Sequence, residues 1–308
     1  MLICEDPSII SFNGAWGVST KGIGDFFKPR RIFKKSNILI EAAKLFGKDV
    51  SASEAEDLLN VSDSKFWSDT NDLVEVYKEE PIFEGQFSNE SYKERVYEAI
   101  ENFNEQNQRD ILSDWENIIF HLPYAYHGRR MIVDKWMDWM KENNQLEEIY
   151  SEVGNPDSSE DKDWIKKVSK SDIYMSFIDD KISPGEKASS EIGNMYTASI
   201  FMSLISSLVE ALEKDRELEN KKIGFISYGS GSKAKIFEGT IQRDWKKKTK
   251  PIKLFENLDN RKKVSINIYE DLHNRKIASN INNNNGIIKL SKISNGEFTE
   301  GLRNYKKY

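Results

Sequence analysis

Three short segments carry groups that could bind and polarise a substrate, and they follow one another along the chain. His121 ends an apolar run, Trp115–Phe120, at the position where α/β sheets present functional groups to a cleft. Gly193-Asn194 precedes a long apolar helix, predicted over Met195–Leu212, whose first backbone N–H groups are free. Gly229-Ser230-Gly231 joins two predicted strands. An imidazole, an amide and backbone N–H groups can together stabilise negative charge on a carbonyl oxygen.

Each of these segments also has a purely structural interpretation. A strand-end histidine can simply be hydrogen-bonded, Asn194 can be only a helix cap, and Gly229-Ser230-Gly231 can be only a hairpin turn. The last segment lacks the Gly-Lys-Ser/Thr of a phosphate loop and is followed by a strand rather than a helix. No single segment therefore indicates a substrate-binding site, and the indication comes from the order in which the three follow one another.

The remaining histidines and the single cysteine are not predicted to form a metal site or to act as a nucleophile. His127, beside two arginines at a predicted helix start, is expected at the surface or facing a phosphate, and His273 is expected in solvent. His121 and His127 lack the spacing of a metal site, so we expect no bound metal. Cys4 is interpreted as a small structural residue in an opening strand, because an activated thiol needs a helix N-terminus or a cationic neighbour.

The start of the chain predicts strands followed by a helical insertion. Met1–Cys4 and Ser8–Phe12 are apolar runs, and Asn13-Gly14 predicts a turn into a glycine-containing loop that includes Gly17. The spacing of apolar residues within 30–80 predicts two helices, with Ser51 or Ser53 as a cap.

The rest of the chain alternates helices and strands. The charged stretch 157–170, a break at Ser183-Pro-Gly185, the basic run Arg243–Lys250 and a weakly ordered loop around 282–285 are predicted in solvent. The other predicted elements are helices at 88–103, 131–139 and 195–212, and strands at 115–120, 223–228 and 234–240. This mixture, with its antiparallel hairpin, indicates a layered α/β fold.

Composition excludes several classes of protein. The 308 residues carry 45 Lys and Arg against 51 Asp and Glu, a formal charge of −6, so we expect no nucleic-acid or membrane partner. One cysteine cannot form an internal disulfide, and the N-terminus lacks a signal-peptide pattern, so we expect a reducing cytoplasm.

At these segments the chain resembles hydroxymethylglutaryl-CoA synthases of the thiolase-fold superfamily. The resemblance rests on Phe120-His-Leu-Pro-Tyr124, Ile192-Gly-Asn-Met-Tyr-Thr-Ala-Ser199 and Phe225-Ile-Ser-Tyr-Gly-Ser-Gly231, in the family's order. Pro7-Ser-Ile-Ile and Phe26-Phe-Lys-Pro29 add to it. It implies a thiolase-like fold and condensation of acetyl-CoA with acetoacetyl-CoA, through an acetylated cysteine, to hydroxymethylglutaryl-CoA for the mevalonate route.

The resemblance also implies roles for individual residues. His121 matches the histidine that binds and polarises the acetoacetyl group. Asn194 matches the asparagine that hydrogen-bonds the acyl substrate, and Ser230 lies between the glycines that border the thioester pocket. The substrate-binding set is Asn194, Tyr196, Gly229, Ser230 and Gly231, and the CoA-binding set is Arg129 with Tyr126, which replaces a family lysine. CoA thioesters are implied as substrates, with no cofactor.

The resemblance further implies that the family's nucleophilic cysteine and general-base glutamate precede the residue matching Met1. The predicted domains are therefore 1–29 as the last strands of the N-terminal thiolase half, 30–80 as an inserted helical segment, and 81–308 as the C-terminal half. The expected partners are acetyl-CoA and acetoacetyl-CoA, with an N-terminal half polypeptide or a second copy also open. Two alternatives stay open: a polyketide β-branching synthase acting on acyl carrier protein thioesters, and a non-catalytic subunit of a split enzyme.

Overall fold

The computed structural model describes residues 3–64, 67, 72–78, 80–158, 161–276, 288–296, 299 and 301–307. The predictions for Met1, Leu2 and 282–285 lie outside these residues. The strands are β1 (Ile10–Thr20), β2 (Phe26–Phe27), β3 (Arg30–Lys34), β4 (Leu73–Tyr77), β5 (Ile82–Phe83), β6 (Asn117–Phe120), β7 (Lys222–Gly229), β8 (Lys233–Ile241), β9 (Ile288–Ile293) and β10 (Arg303–Lys307).

The helices follow the same numbering in chain order. They are α1 (Lys35–Leu45), α2 (Ala52–Asn60), α3 (Gly85–Asn107), α4 (Ile111–Asp114), α5 (His127–Met131), α6 (Val133–Glu142), α7 (Leu146–Val153), α8 (Lys162–Val168), α9 (Asp172–Lys181), α10 (Ser183–Ile192), α11 (Ser199–Glu213), α12 (Trp245–Thr249), α13 (Leu254–Asp259) and α14 (Ile266–His273). Short 3₁₀ turns occupy Tyr196–Ala198 and Lys250–Ile252.

The central sheet has the strand order β1-β8-β7-β6. Strands β7 and β8 form the predicted hairpin, β1 pairs antiparallel with β8, and β6 pairs parallel with β7. The parallel pair places the carboxyl ends of β6 and β7 at one edge of the sheet. The residues that follow both strands therefore meet at that edge.

Helices cover both faces of this sheet, because successive strand residues point to opposite sides. Ile118 and Phe120 of β6 belong to the core beneath α3, whereas Ile119 belongs to a second core beneath α11. The predicted layered α/β architecture is confirmed. The amphipathic helix predicted at 88–103 is also confirmed, and α3 extends it at both ends.

The opening segment differs from its prediction. β1 runs through Asn13-Gly14 without turning, and its pairing with β8 shifts register between Phe12 and Trp16. The two residues form an irregularity within a paired strand, with Gly14 at φ +77°. Cys4 lies outside any strand.

Residues 26–83 combine helices with two-stranded ladders. The predicted helices are present as α1 and α2, and Ser51 caps α2 in a capping box with Glu54. β3 pairs with β4, and β2 pairs with β5. The predicted domain boundaries at 29 and 80 stay a prediction.

Three predicted solvent segments are wrong because they contain helices. In α8, Trp164 and Val168 are buried, and the Trp164 indole N–H donates to the Gly154 carbonyl at 2.7 Å. Ser183-Pro-Gly185 is the first turn of α10, where proline is tolerated because that turn needs no backbone donor. In the basic run, Trp245 is buried rather than solvated.

The chain divides into two compact units, Met1–Leu254 and Phe255–Tyr308. The first contains the central sheet and all the candidate site residues. The second contains α14 and the antiparallel pair of β9 and β10.

Candidate functional site

The backbone of His121 is held on two sides at the carboxyl end of β6. Its N–H donates to the Ile226 carbonyl of β7 at 2.8 Å, which continues the parallel ladder by one residue. The Tyr92 hydroxyl of α3 donates to the His121 carbonyl at 3.0 Å. The position predicted from the sequence, at the end of a buried strand, is therefore where the structure places this histidine.

The His121 imidazole is held by Ser199, the first residue of α11. Ser199 Oγ lies 3.0 Å from His121 Nδ1 and accepts the Leu122 N–H at 3.1 Å. Ser199 is fully buried. Burial lowers the pKa of His121 below its ordinary value, which favours the neutral ring near pH 7.

Ser199 is a site residue for which the sequence predicted no role. It closes the Gly-Asn-Met-Tyr-Thr-Ala-Ser segment, and that position was the signal available. The prediction that the buried helix starts at Met195 is wrong, because a 3₁₀ turn precedes α11. This shift moves Ser199 to the helix start, against His121.

Asn194 and Tyr196 lie in the loop that leads into Ser199. Gly193 ends α10 at φ +86°, a conformation that favours glycine. The exposed Asn194 accepts the Tyr196 N–H on Oδ1 at 2.7 Å, so it caps a local turn rather than the buried helix. Tyr196 is exposed. The loop reaches the His121 edge of the sheet through Ser199.

The Gly229–Gly231 turn follows β7 and lies at the same sheet edge as His121. Ser230 is exposed at its tip. The turn is fixed by Asp25, a buried residue that the sequence did not single out: its carboxylate accepts the Gly231 N–H at 2.8 Å and the Tyr228 hydroxyl. Burial, followed by the Asp25 hydrogen bond, raises the pKa of Tyr228.

His127 contradicts its prediction as a surface residue. Its ring is 1% exposed and packs edge to face against Tyr92 at 4.3 Å and Tyr124 at 4.7 Å between centroids. Neither ring nitrogen has a hydrogen-bond partner in the described part of the chain. Burial, with positive charge at His121 and Arg130, lowers the pKa of His127 to about 4.

Arg129, which is partly exposed, forms an ion pair with the buried Glu186 that the sequence did not predict. Its Nε donates to Glu186 Oε2 at 2.9 Å, and its Nη2 contacts the same oxygen. The Tyr126 ring lies 4.6 Å from the guanidinium carbon. Burial raises the pKa of Glu186, and Arg129 opposes that shift. The three side chains line a cavity of about 570 Å³ together with lysines, further carboxylates and serines.

Among the residues that the structure describes, no group of three or more His, Cys, Asp or Glu side chains is placed to hold a metal ion. Every helix in those ranges is too short or too polar to span a bilayer. His273 is exposed in α14, as predicted.

Comparisons with known proteins identify relatives of the whole central region. Residues 71–295 match the family model described as hydroxymethylglutaryl-coenzyme A synthase C terminal. The hydroxymethylglutaryl-CoA synthase of Haloferax volcanii is 24% identical over 239 residues, covering 72% of this chain and 54% of that protein. The synthase of Schizosaccharomyces pombe is 30% identical over 218 residues, covering 65% and 46%. The chain thus spans about half the length of these relatives.

Solved structures show the same fold. MvaS in complex with 3-hydroxy-3-methylglutaryl coenzyme A aligns with a TM-score of 0.62 at 19% identity, over 98% of this chain and 59% of that chain. The HMG synthase of the curacin pathway, in complex with a holo donor acyl carrier protein, aligns with a TM-score of 0.60 at 14% identity, over 98% and 58%. The fold described above is therefore the thiolase-like fold of these synthases.

Proposed function

Because this chain belongs to the hydroxymethylglutaryl-CoA synthase family, we propose that the sheet edge at His121 binds the acetoacetyl group of acetoacetyl-CoA. The reaction served by this site is condensation with acetyl-CoA to hydroxymethylglutaryl-CoA, in the mevalonate route to isoprenoids. Acyl-CoA binding is the part of that reaction that the described residues support.

The observation that carries the proposal is the fixed imidazole of His121 at the sheet edge. Its Nδ1 lies against Ser199, while its Nε2 has no partner in the described ranges and is not among the enclosed polar atoms. Carbon–carbon bond formation at a ketone develops negative charge on the ketone oxygen, and a pre-positioned hydrogen-bond donor stabilises that charge. The available edge of the His121 ring suits that oxygen.

The neighbouring loops supply polar groups for the rest of the acyl chain. Asn194 and Ser230 are exposed on loops that follow α10 and β7, and both loops reach the edge where His121 lies. We assign Asn194, Tyr196 and the Gly229-Ser230-Gly231 turn to the acyl and thioester groups. Arg129 and Tyr126 are assigned to coenzyme A, because a guanidinium suits a phosphate.

A second candidate substrate is an acyl carrier protein thioester. Two features of the residues assigned to coenzyme A favour a carrier-protein substrate. Tyr126 stands where the family has a lysine, and the Arg129 guanidinium is already paired with Glu186. Both reduce the positive charge available to the nucleotide phosphates of CoA. A structural relative is the curacin HMG synthase in complex with a donor acyl carrier protein.

Calorimetric titration with acetoacetyl-CoA tests the proposal. His121→Ala should weaken binding about tenfold, corresponding to about 1.4 kcal/mol. His273→Ala is the matched control, since it removes an exposed imidazole from the other unit, and it should bind like the wild type. Equal affinity for wild type and His121→Ala, or no binding by the wild type, would contradict the proposal.

The same titration with acetoacetyl-pantetheine separates the two substrates. If CoA is the natural carrier, loss of its nucleotide should weaken binding, because Arg129 then has no phosphate to contact. If the acyl group is delivered by a carrier protein, the pantetheine thioester should bind as well as acetoacetyl-CoA.

A further inference from the structure

The Ser199 hydroxyl lies between two polar groups of the β6 end, and it has to satisfy both. It is fully buried at the first residue of α11. The Leu122 N–H points at its oxygen over 3.1 Å, and His121 Nδ1 lies 3.0 Å away. In the described ranges these are its two hydrogen-bond contacts. A buried hydroxyl needs an acceptor for its own hydrogen.

The donors and acceptors around Ser199 Oγ determine the direction of its hydrogen bond with His121. The Leu122 N–H can only donate, so Ser199 Oγ accepts there and uses one lone pair. The hydroxyl hydrogen then has one acceptor within reach, the Nδ1 atom of His121. We infer that Ser199 is a positioning residue that donates to Nδ1 and thereby holds His121 as the tautomer with its hydrogen on Nε2.

The opposite assignment leaves a buried donor unpaired. If Nδ1 carried the hydrogen, it would donate to Ser199 Oγ, which already accepts from Leu122. The hydroxyl hydrogen would then point into a fully buried site with no acceptor among the described residues. Burying an unpaired donor is unfavourable, so the alternative tautomer is the less stable one.

The consequence for the site is a hydrogen-bond donor aimed away from the core. With Nδ1 occupied by Ser199, the hydrogen on Nε2 is free for a substrate oxygen. In this tautomer His121 acts on the ketone as a neutral hydrogen-bond donor rather than as a base, a consequence that rests on the proposed function. The tautomer itself is a property of the unliganded chain.

Other side chains face the His121 ring region, and none of them replaces Ser199 in this role. Tyr92 contacts the His121 carbonyl rather than its ring. His127 lies close enough that positive charge on His121 lowers the pKa of His127, but both nitrogens of His127 lack partners in the described ranges. Tyr124 packs on His127, and Arg130 lies over the Tyr124 ring.

Nuclear magnetic resonance of the chain labelled with nitrogen-15 in histidine tests the inference without substrate. The proton-bearing nitrogen resonates upfield of the bare one, and Nε2 is recognised because it couples to both ring C–H protons. We expect His121 to show a protonated Nε2 and a bare Nδ1 in the wild type. His273, exposed in α14, supplies the reference for a histidine ring in contact with solvent.

Substitution of Ser199 tests its part. Ser199→Ala removes the donor that favours the neutral ring, so His121 should become a tautomer mixture and gain about threefold in proton affinity. Ser206→Ala is the matched control: Ser206 is a buried serine of the same helix that accepts the Ala188 N–H at 3.1 Å and donates to the Pro184 carbonyl at 2.6 Å. It should leave the His121 spectrum unchanged. Ser199→Thr, which keeps the hydroxyl, should restore the wild-type tautomer.

Each outcome decides the inference. A wild-type spectrum with the hydrogen on Nδ1 overturns it, as does a folded Ser199→Ala whose His121 tautomer and titration equal those of the wild type. If Ser199→Ala does not fold, the wild-type and Ser199→Thr spectra decide alone. Failure of acetoacetyl-CoA to bind would contradict the proposed function but would leave the tautomer result standing.

Discussion

At the scale of single residues, His127 is the most unusual group of the site. A buried imidazole without hydrogen bonds is less stable than an apolar side chain of similar size. His127→Met should therefore raise the free energy of unfolding at pH 7 by roughly 1–2 kcal/mol, measured by urea denaturation. His273→Met, an exposed control, should change it little.

The same residue predicts a pH dependence. The pKa of His127 is about 4 in the folded chain and near 6.5 when unfolded, so only the unfolded chain takes up a proton between these values. This proton uptake leaves the free energy of unfolding unchanged above pH 6.5 and lowers it by about 3 kcal/mol as the pH falls towards 4. His127→Met should show a correspondingly flatter profile between pH 7 and 4.5. An unchanged slope would show that other groups carry the acid sensitivity.

Cys4 predicts an absence of covalent chemistry. It is the one cysteine in the sequence, and it is exposed, outside any helix, and followed by two acidic residues, with Sγ donating to the Asp6 carbonyl at 3.3 Å. An activated thiol needs a helix N-terminus or a cationic neighbour, and these features supply neither. Incubation with radiolabelled acetyl-CoA should leave the chain unlabelled and should give no condensation product. Label that is retained on the wild type and lost in Cys4→Ser would refute this prediction.

At the scale of elements, Gly17 shows how β1 and α3 fit together. A Cβ added there would lie 2.3 Å from the Ala99 carbonyl oxygen and 2.4 Å from Phe103 Cβ. Gly17→Ala should separate strand from helix and lower the free energy of unfolding by about 2 kcal/mol or more. Gly22→Ala is the matched control, because a Cβ there meets nothing within 4 Å. Similar unfolding midpoints for the two variants would contradict this packing role.

These elements show which features a sequence reveals. The β7–β8 hairpin and α3 were predictable because each has a local signature, a glycine turn between apolar runs or an apolar helical face. Gly17 was predicted in a loop, since a glycine that allows close packing looks the same in sequence as one that allows a turn. α8 and the start of α10 were missed because tertiary contacts of Trp164 and a proline in the first helical turn outweigh local polarity.

The site residues likewise divide into those with a local sequence signature and those that depend on distant partners. The end of β6 and the hairpin turn identify His121 and Gly229–Gly231, since strand ends can be recognised locally. Asp25 and Ser199 were not predicted, because their importance comes from partners more than 75 residues away in sequence. His127 was misjudged because two neighbouring arginines suggested a surface, whereas aromatic rings from α3 and the β6 loop bury it.

At the scale of the whole molecule, exposed apolar surface lies on β1 rather than on the long helix. Most of the apolar helix α11 is buried. Phe12, Trp16 and Val18 are each about two-fifths exposed on the face that packs with Phe237, and we call this the β1 face. Exposed aromatic surface of this kind favours association.

The chain should therefore bind a hydrophobic dye in its folded state and self-associate as its concentration rises. Replacing Phe12 and Val18 by Ser and Thr should reduce dye fluorescence and shift light scattering towards the monomer. Leu45→Ser is the control, because Leu45 is 86% exposed at the end of α1 and lies outside the β1 face. A monomeric wild type without dye binding would contradict the prediction.

The central claim, that His121 polarises a bound acetoacetyl ketone, is tested most directly by the carbon-13 resonance of that ketone. Acetoacetyl-CoA labelled at the ketone carbon should shift downfield when it binds the wild-type chain, because a hydrogen bond to the oxygen draws electron density from the carbon. The downfield shift should be absent when the ligand is fully bound to the His121→Ala variant, and it should be retained when the ligand is bound to His273→Ala. An equal shift with His121→Ala, or an unshifted ketone in the wild-type complex, would contradict the claim.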